Sequence, residues 1–417
     1  MPLLSIIVTS YNVKDYIGDC IRNLIDQTIK DIEIIVVDDG STDGSADIIR
    51  ELAAKDPRII PVLQETNSVG GVATPANIGL EMASGTFVGF ADGDDIYDPT
   101  MFGKLVDAAV SEDCALAMCN YYLTDSLTGD LTDPADERRW KDFSGIKSVK
   151  LDEKSRKKFL QFIAVPWRKV YRRSLLEENR IRFPVGDFFF EDNPFHWATI
   201  IKSNSIALVP EKLCKHRVNR VGQTMDSGSS QLFGIFAHHE IIETWLIKEG
   251  VFPNYRDLLL RWTIAQIEWT SKKCGNEKWP DFFSLLYPIV NSYKKNNIKY
   301  VIDRYKIGNR GSKLVVFIKI NDFKTFSRIL EGRNELKYRK NIYFNYFTHG
   351  VLDAIAVAIR PLKFKKKKKI KKSLSSNRSN NELDKVVVGI SMLEKKLIAI
   401  DQKVQSIEKK ISENRIL

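Results

Sequence analysis

Short apolar runs alternate with segments of helical periodicity along the first hundred residues. The apolar runs predict strands at residues 3–10, 33–37, 59–63 and 86–90. Apolar residues spaced three and four apart predict helices between them, at residues 15–28, 45–55 and 75–84. Strands this apolar are buried on both faces, so the alternation predicts βαβ units and a buried parallel sheet.

The pattern changes further along the chain. Residues 115–230 indicate mixed structure with aromatic-rich loops, and we place the end of the α/β domain at residue 230. Residues 231–340 are predicted to form a mainly helical accessory domain, with helices at 235–249, 254–272 and 282–294. An amphipathic and then basic segment (341–372), a polar linker (373–382) and a heptad-patterned tail (383–417) follow.

Three polar clusters stand where strands of the predicted sheet end. They are "TSYN" at residues 9–12, "DDGS" at 38–41 and "DGDD" at 92–95. Open α/β sheets bind their ligands at the carboxyl ends of the strands. We therefore expect these three clusters to line one binding site.

The acidic cluster suits a divalent cation. Asp92 and Asp94 lie two residues apart on a turn after a strand, so both side chains can face one ion. Mg²⁺ and Mn²⁺ prefer such oxygen ligands and often share them with substrate phosphates. The alternative is a solvated acidic turn in which Asp95 has a structural role, such as capping the helix that follows. The apolar strand before the cluster favours the metal site.

The cluster after the second strand suits a nucleoside. Asp38 and Asp39 can accept hydrogen bonds from a base N–H or a ribose hydroxyl. Capping of the next helix would explain Ser41 and Asp43, but it would not explain the paired carboxylates. The ring of Tyr11, in the first cluster, offers a stacking surface.

Composition and charge narrow the class of protein. Of the 417 residues, 43% are hydrophobic, which suffices for a globular core, yet no apolar run approaches the roughly 18 residues of a membrane-spanning helix. The amino terminus lacks the pattern of a signal peptide, and the five scattered cysteines predict reduced thiols, so we expect a cytoplasmic protein. The net charge is +11, but residues 1–120 hold 20 acidic and 7 basic side chains, so the remainder carries +24.

Taken together, these segments resemble the glycosyltransferase family 2 proteins. The resemblance covers residues 3–220 and is carried by "SIIVTSYN", "QTIKDIEIIVVDDGSTDGS", "ANIGLEMASGTFVGFADGDD", "PWRKVYRRSLLEENRIRFP" and "FFFEDNPF", in that order. It implies the GT-A fold of nucleotide-diphospho-sugar transferases, a Rossmann-like mixed α/β sheet. It also implies an inverting, metal-dependent enzyme of the bacterial surface-polysaccharide or teichoic-acid type.

The resemblance assigns roles to individual residues. The metal, Mn²⁺ or Mg²⁺, would be bound by Asp94 and Asp92, with His216 as a further ligand, and Asp92 would also contact the ribose. Asp192 would be the catalytic base, beside Glu191 on the acceptor side. The nucleotide-sugar would contact Thr9, Ser10, Tyr11, Asp39, Asn77, Asp92 and Arg217.

One position departs from the family pattern. The family has an arginine that binds the diphosphate where this chain reads "TPANIGL", with Ala76 in its place. We expect Arg168, Lys169 or Arg217 to supply the missing charge. The doubled glycine in "NSVGGVATP" predicts an unusual loop beside this position, one that could bear on the choice of donor sugar.

Two features near the carboxyl end suggest partners. Eight lysines between Lys363 and Lys372 follow an amphipathic stretch, which is typical of a peripheral anchor on an anionic membrane surface. A solvated linker is the alternative, and the run lacks the interleaved aromatic and arginine residues of a nucleic-acid site. Apolar residues repeat by sevens from Leu383 to Ile411, so we expect a homo-oligomeric coiled coil, dimer or trimer. The alternative is a helix that packs back on the catalytic domain.

The sequence thus predicts a cytoplasmic glycosyltransferase, peripherally associated with the inner face of the cell membrane. It would move a hexosyl or N-acetylhexosaminyl group from a UDP-sugar to a glycan or lipid-linked acceptor in capsule, O-antigen or teichoic acid synthesis. Nucleic acid is not an expected partner. The alternative is a catalytically inactive, membrane-associated coiled-coil scaffold of a polysaccharide-assembly complex.

Overall fold

The computed structural model describes residues 1–220 and 230–332. Contacts divide the chain into two compact units, Met1–Asn334 and Glu335–Leu417. The predicted amphipathic and basic segment, linker and coiled coil lie outside the described residues.

The first hundred residues fold as the alternating pattern predicts. Four strands and three helices follow one another as β1 (Leu4–Ser10), α1 (Lys14–Ile25), β2 (Ile32–Asp38), α2 (Ser45–Ala53), β3 (Ile59–Leu63), α3 (Ala73–Met82) and β4 (Phe87–Asp92). Strands β3, β2, β1 and β4 lie side by side and pair in parallel. The predicted βαβ units are confirmed.

The rest of the α/β region adds shorter elements. They are β5 (Ile96–Tyr97), α4 (Met101–Ser111), β6 (Leu116–Asp125), β7 (Leu131–Thr132), β8 (Ser148–Lys150), α5 (Glu153–Phe159), β9 (Lys169–Arg172), α6 (Arg173–Glu178), α7 (Asp192–Lys202) and β10 (Ser205–Val218). Strand β9 pairs antiparallel with both β4 and β6, and β10 continues parallel to β6. The order β3-β2-β1-β4-β9-β6-β10-β5 makes a mixed sheet, as expected from the resemblance.

Alternating residues of the central strand explain why helices cover both faces of this sheet. Ile6 and Val8 point into a core with α1 and α4, where Ile17 and Phe102 are fully buried. Ile7 points to the opposite face, against α3. A Cβ at Gly79 of α3 would lie 2.3 Å from Ile7 Cγ2, so a glycine is required for the close contact.

A helical region follows the α/β region. It consists of α8 (Ala237–Lys248), α9 (Phe252–Lys273), α10 (Trp279–Ser292), α11 (Lys295–Arg304), α12 (Asn309–Lys319) and α13 (Phe323–Leu330). The predicted helical character of this stretch is confirmed. Within the described ranges, no helix combines the length and the apolar character that crossing a membrane would require.

Candidate active site

The polar clusters converge at one edge of the sheet. In the parallel pairing of β1 with β2, Ser10 lies opposite Asp38, and in the pairing of β1 with β4, Thr9 lies opposite Asp92. The backbone N–H of Asp39 donates to Ser10 O at 2.8 Å, which extends the alignment one residue further. The expected meeting of the clusters at the carboxyl ends of the strands is therefore observed.

The two carboxylates at the end of β2 have different surroundings. Asp38 accepts hydrogen bonds from Ser10 Oγ (3.0 Å) and from the backbone N–H of Ser41 (2.9 Å), so it fixes the turn after the strand. Asp39 accepts from Ser68 Oγ at 2.7 Å, within the loop that joins β3 to α3. Tyr11 is 45% exposed beside them, which leaves its ring available for stacking.

The acidic turn after β4 meets the last part of β10. His216 Nδ1 lies 2.8 Å from Asp95 Oδ2, and the other oxygen of Asp95 accepts from the backbone N–H of Arg217 at 2.9 Å. One ligand atom from each of Asp92, Asp95 and His216 falls within 4.8 Å of the others. Two carboxylate oxygens and an imidazole nitrogen are a donor set that fits a divalent cation such as Mn²⁺.

Asp94 stands apart from this group. Its carboxylate accepts a hydrogen bond from Arg220 Nε at 2.8 Å, and both side chains are nearly buried. The guanidinium groups of Arg217 and Arg220 lie 4.9 Å and 5.8 Å from the ring centre of Tyr16 on α1. Two permanent positive charges therefore stand beside the acidic turn.

Burial and crowding shift the pKa values of the turn. Burial raises the pKa of Asp92 well above its usual range, and the charges of Asp95 and Asp94 add to the effect. Burial also raises the pKa of Asp95, against the opposing charge of His216. Burial alone would lower the pKa of His216, but the charge and hydrogen bond of Asp95 raise it to about 9. The turn thus concentrates negative charge that a cation would stabilise.

The "ED" pair, Glu191 and Asp192, stands at the start of α7, and its two side chains have different surroundings. Glu191 is 2% exposed, and its Oε1 accepts from the backbone N–H of Ala73 (3.3 Å) at the amino terminus of α3. A Cβ at Gly71 would lie 2.6 Å from the same oxygen, and one at Gly70 would lie 2.1 Å from Gly186 O. The two adjacent glycines therefore let their loop pack closely against Glu191 and against the segment that precedes it.

Asp192 lies within electrostatic reach of His216 and Asp92. Burial raises its pKa to about 6, and the charges of Lys169 and His216 limit the rise. The charge of Asp192 in turn contributes to the raised pKa of Asp92. A carboxyl group with this pKa is mostly ionised at neutral pH and can still accept a proton.

Two of the expected sources of diphosphate-binding charge are wrong. Arg168 is fully buried, with Nη2 at 2.7 Å from Asp136 Oδ2, so it cannot reach a ligand at the sheet edge. Lys169 is also fully buried, and its ammonium donates to Val165 O at 2.5 Å. Of the three candidates, only Arg217 lies beside the acidic turn.

Asn77 has a contact that the sequence does not reveal. Its side chain donates to Phe183 O (2.8 Å) and accepts from the backbone N–H of the same residue (3.0 Å). This pair ties α3 to the segment before the "ED" pair. Both polar groups of the Asn77 side chain are thus bonded to Phe183.

Comparisons with known proteins identify the family. The sequence profile described as glycosyl transferase family 2 matches residues 5–180. The uncharacterised glycosyltransferase YibD of Escherichia coli is 34% identical over 264 residues, which span 62% of this chain and 73% of YibD. This chain belongs to glycosyl transferase family 2.

Other glycosyltransferases extend the comparison. The putative teichuronic acid biosynthesis glycosyltransferase TuaG of Bacillus subtilis is 39% identical over 122 residues, 29% of this chain and 48% of TuaG. Two further glycosyltransferases of B. subtilis are matched over 62% and 61% of their own lengths, less than two thirds. This chain thus spans about three fifths of the length of these two relatives.

A solved structure supports the fold. The crystal structure of residues 1–349 of Staphylococcus aureus TarS, in complex with UDP-GlcNAc, superposes with a TM-score of 0.64 at 20% identity. The match covers 79% of this chain and 90% of that one. The family 2 chain therefore has a GT-A-like mixed sheet, and the expected fold class is confirmed for the α/β region.

Three residues of this family 2 site escaped sequence reasoning. Asp95 was not among the expected metal ligands, yet it contacts His216 directly and lies in the same group as Asp92. Arg220, which follows β10, pairs with Asp94, and the Tyr16 ring on α1 lies beside both arginines. The basic "KHRVNR" segment was a signal for the arginine, but only the register of β10 places it against the turn.

Proposed function

We propose that this chain is an inverting, metal-dependent glycosyltransferase that uses a UDP-sugar. The observation that carries the proposal is the acidic turn of Asp92, Asp94 and Asp95 with His216, which lies at the sheet edge within electrostatic reach of Asp192. A catalytically inactive scaffold would have no need for clustered buried carboxylates, which are costly to maintain without a cation.

The carboxylates divide into a metal side and a base side. Asp92, Asp95 and His216 would hold a divalent cation, and Asp94 would join them if it exchanged Arg220 for the ion. A bound cation would offset the negative charge of the departing diphosphate. Arg217 and Arg220 would contact the same diphosphate. They would thus supply the positive charge of the family's arginine, whose position Ala76 occupies in this chain.

Asp192 is the proposed base. It accepts the proton of an acceptor hydroxyl while that oxygen attacks the anomeric carbon of the sugar. The bond from the anomeric carbon to the diphosphate breaks, and the diphosphate leaves with the electron pair from the opposite face. Attack and departure on opposite faces invert the anomeric centre. Glu191, held at the start of α3, positions this end of α7 rather than taking the proton.

The nucleoside would bind along the ends of β1 and β2. Asp39, Thr9 and Ser10 would hold the uracil and ribose, with the exposed ring of Tyr11 as the stacking surface. Asn77 would shape this wall through Phe183 without contacting the donor. The complex of TarS with UDP-GlcNAc, a protein with the same fold, supports a UDP-sugar.

The proposed pathway is the synthesis of a bacterial surface polysaccharide. Support comes from TuaG, which is named for teichuronic acid biosynthesis. The acceptor would be a glycan or a lipid-linked sugar. The polybasic segment of 341–372 would bring the enzyme to an anionic membrane surface, and the heptads of 383–417 would join copies as a dimer or trimer.

Donor binding is tested by thermal unfolding with a panel of UDP-sugars. A ligand at 100 times its Kd stabilises the folded protein by about 2.7 kcal/mol. We expect a rise in Tm with one or more UDP-sugars in the presence of Mn²⁺, a smaller rise with EDTA, and none with GDP-mannose as the matched control. If no UDP-sugar raises the Tm or is hydrolysed with Mn²⁺, the proposed function is wrong.

A further inference from the structure

The residue before the "ED" pair has an unusual backbone conformation. Phe190 has a φ of +72°, in the left-handed region that bulky side chains rarely adopt. Such a conformation costs on the order of 1–3 kcal/mol and persists only where surrounding contacts impose it. Something must therefore hold the chain at Phe190, directly before the proposed base.

A hydrogen-bonded relay from α9 reaches this point. Trp262 Nε1 donates to Asn193 Oδ1 at 3.1 Å. Asn193 in turn donates to Phe190 O twice, from its side-chain nitrogen at 2.9 Å and from its backbone N–H at 3.1 Å. The two residues that flank Glu191 and Asp192 are thus tied together, and the tie is anchored in the helical region.

Other residues of the helical region contact the same segment. The Nε2–H of His238 on α8 donates to Phe189 O at 2.7 Å, and the His238 ring packs edge-on against Phe188 with centres 4.7 Å apart. Trp269 on α9 makes an edge contact with Phe190, with centres 5.6 Å apart. Three side chains from two helices thus converge on a segment of six residues.

We propose that Trp262 is a positioning residue for the transfer reaction, and that it acts through Asn193 to hold Phe190 and the base beside it. This inference rests on the proposed function, because it assumes that Asp192 takes the acceptor proton. The helical region would therefore help to hold the proposed base in position.

Two other polar contacts between the α/β region and the helical region do not reach the "ED" pair. Asn254 on α9 donates to Glu153 on α5 at 2.8 Å, and Lys202 on α7 pairs with Glu249. Both lie at exposed or partly exposed positions, and Lys202 stands at the far end of α7 from the "ED" pair. The relay through Trp262 differs because its bonds end on the two residues that flank that pair.

The perturbation is Trp262→Phe, which keeps an aromatic ring but removes the indole N–H together with part of the buried fused ring. The matched control is Trp279→Phe, which also removes an indole hydrogen bond from the helical region, one that ends at Cys274 O (3.3 Å) instead. Asn193→Ala provides a second variant at a partly exposed position. If the two act in one relay, the double variant is no worse than Asn193→Ala alone.

The first readout is amide hydrogen exchange of residues 186–193, measured in the full chain. We expect about fivefold faster exchange in Trp262→Phe, as loss of one neutral hydrogen bond would give. Exchange in Trp279→Phe should match wild type within this segment. Unchanged exchange in Trp262→Phe, or faster exchange spread evenly over the whole protein, would overturn the proposal. This readout needs no donor and no turnover.

The second readout is the pH dependence of kcat/KM for transfer. Loosening the segment should admit water to Asp192 and move the acid limb below its wild-type position near pH 6, with donor KM unchanged. A smaller folded fraction would lower kcat without moving the limb. Charged or titratable groups within electrostatic reach of Asp192 are Lys169, Tyr171, His216, Glu191 and Asp92.

The two proposals fail in different ways. If wild type neither binds nor hydrolyses any UDP-sugar, the proposed function falls, and the exchange result still decides whether the relay holds the segment. If wild type transfers sugar and Trp262→Phe has an unmoved acid limb, the relay has no part in positioning the base.

Discussion

The buried ion pair of Arg168 and Asp136 allows a test of whether Arg168 stabilises the fold or binds the donor. The two side chains are 0% and 3% exposed, and their charges meet at 2.7 Å. The guanidinium also lies 5.1 Å from the ring centre of Tyr121, while its Nε and Nη1 have no hydrogen-bond partner in the described part of the chain. Asp136 is therefore the main compensation for a charge that water cannot reach.

Asp136→Asn would keep the shape of the side chain and remove its charge. Breaking a buried pair from one side costs about 3–5 kcal/mol, because the remaining charge stays buried. The matched control is Asp19→Asn, whose partner Arg22 is 57% exposed and whose own side chain is 66% exposed. Exposed pairs contribute less than about 1 kcal/mol, so this variant should be near wild type.

The assay is urea unfolding followed by tryptophan fluorescence, together with the donor KM of the folded enzyme. We expect a lower midpoint in Asp136→Asn at unchanged slope, and an unchanged donor KM, since Arg168 does not reach the sheet edge. A loss of less than about 1 kcal/mol would refute the reasoning about burial. A raised donor KM without loss of stability would indicate that Arg168 binds the diphosphate, as expected from the sequence.

Three further predictions concern the site and its membrane partner. Because Asp192 must be deprotonated to act as the base and its pKa is raised to about 6, kcat/KM should fall as the pH drops below about 6, about tenfold per unit, in a pH titration at fixed donor. Gly71→Ala would place a methyl group 2.6 Å from Glu191 Oε1, and should lower kcat at least tenfold, as a displaced segment would. The control Gly308→Ala has open space around the added methyl group and an ordinary φ of −58°, so it should leave kcat unchanged. A chain ending at residue 340 should lose sedimentation with vesicles that contain phosphatidylglycerol, and retained sedimentation would contradict the membrane proposal.

The sequence predicts this sheet well because burial leaves little freedom. Apolar runs such as residues 33–37 fit a strand covered on both faces, and β2 extends this run by one residue at each end. The carboxyl ends of parallel strands meet by geometry, so the clusters at Thr9, Asp39 and Asp92 could be placed together without a structure.

Contacts that depend on register and on distant segments could not be predicted. Asp95 reaches His216 across 121 positions of sequence, and Arg220 reaches Asp94 across 126. The role of Arg168 was misjudged because arginine is rarely buried. An exposed arginine that contacts a ligand was therefore the expectation from the sequence. The relay from Trp262 to Asn193 also crosses from one region to another, and no local pattern marks it.

Donor turnover by Asp192→Asn tests the central claim most directly. The measurement is UDP release from a UDP-sugar that raises the Tm of wild type, with Mn²⁺ and an acceptor, compared between wild type and the variant. The account predicts turnover by wild type, a loss of at least a hundredfold in kcat for Asp192→Asn, as expected when a general base is removed, and an unchanged donor-induced rise in Tm. Equal turnover by the two proteins would contradict it.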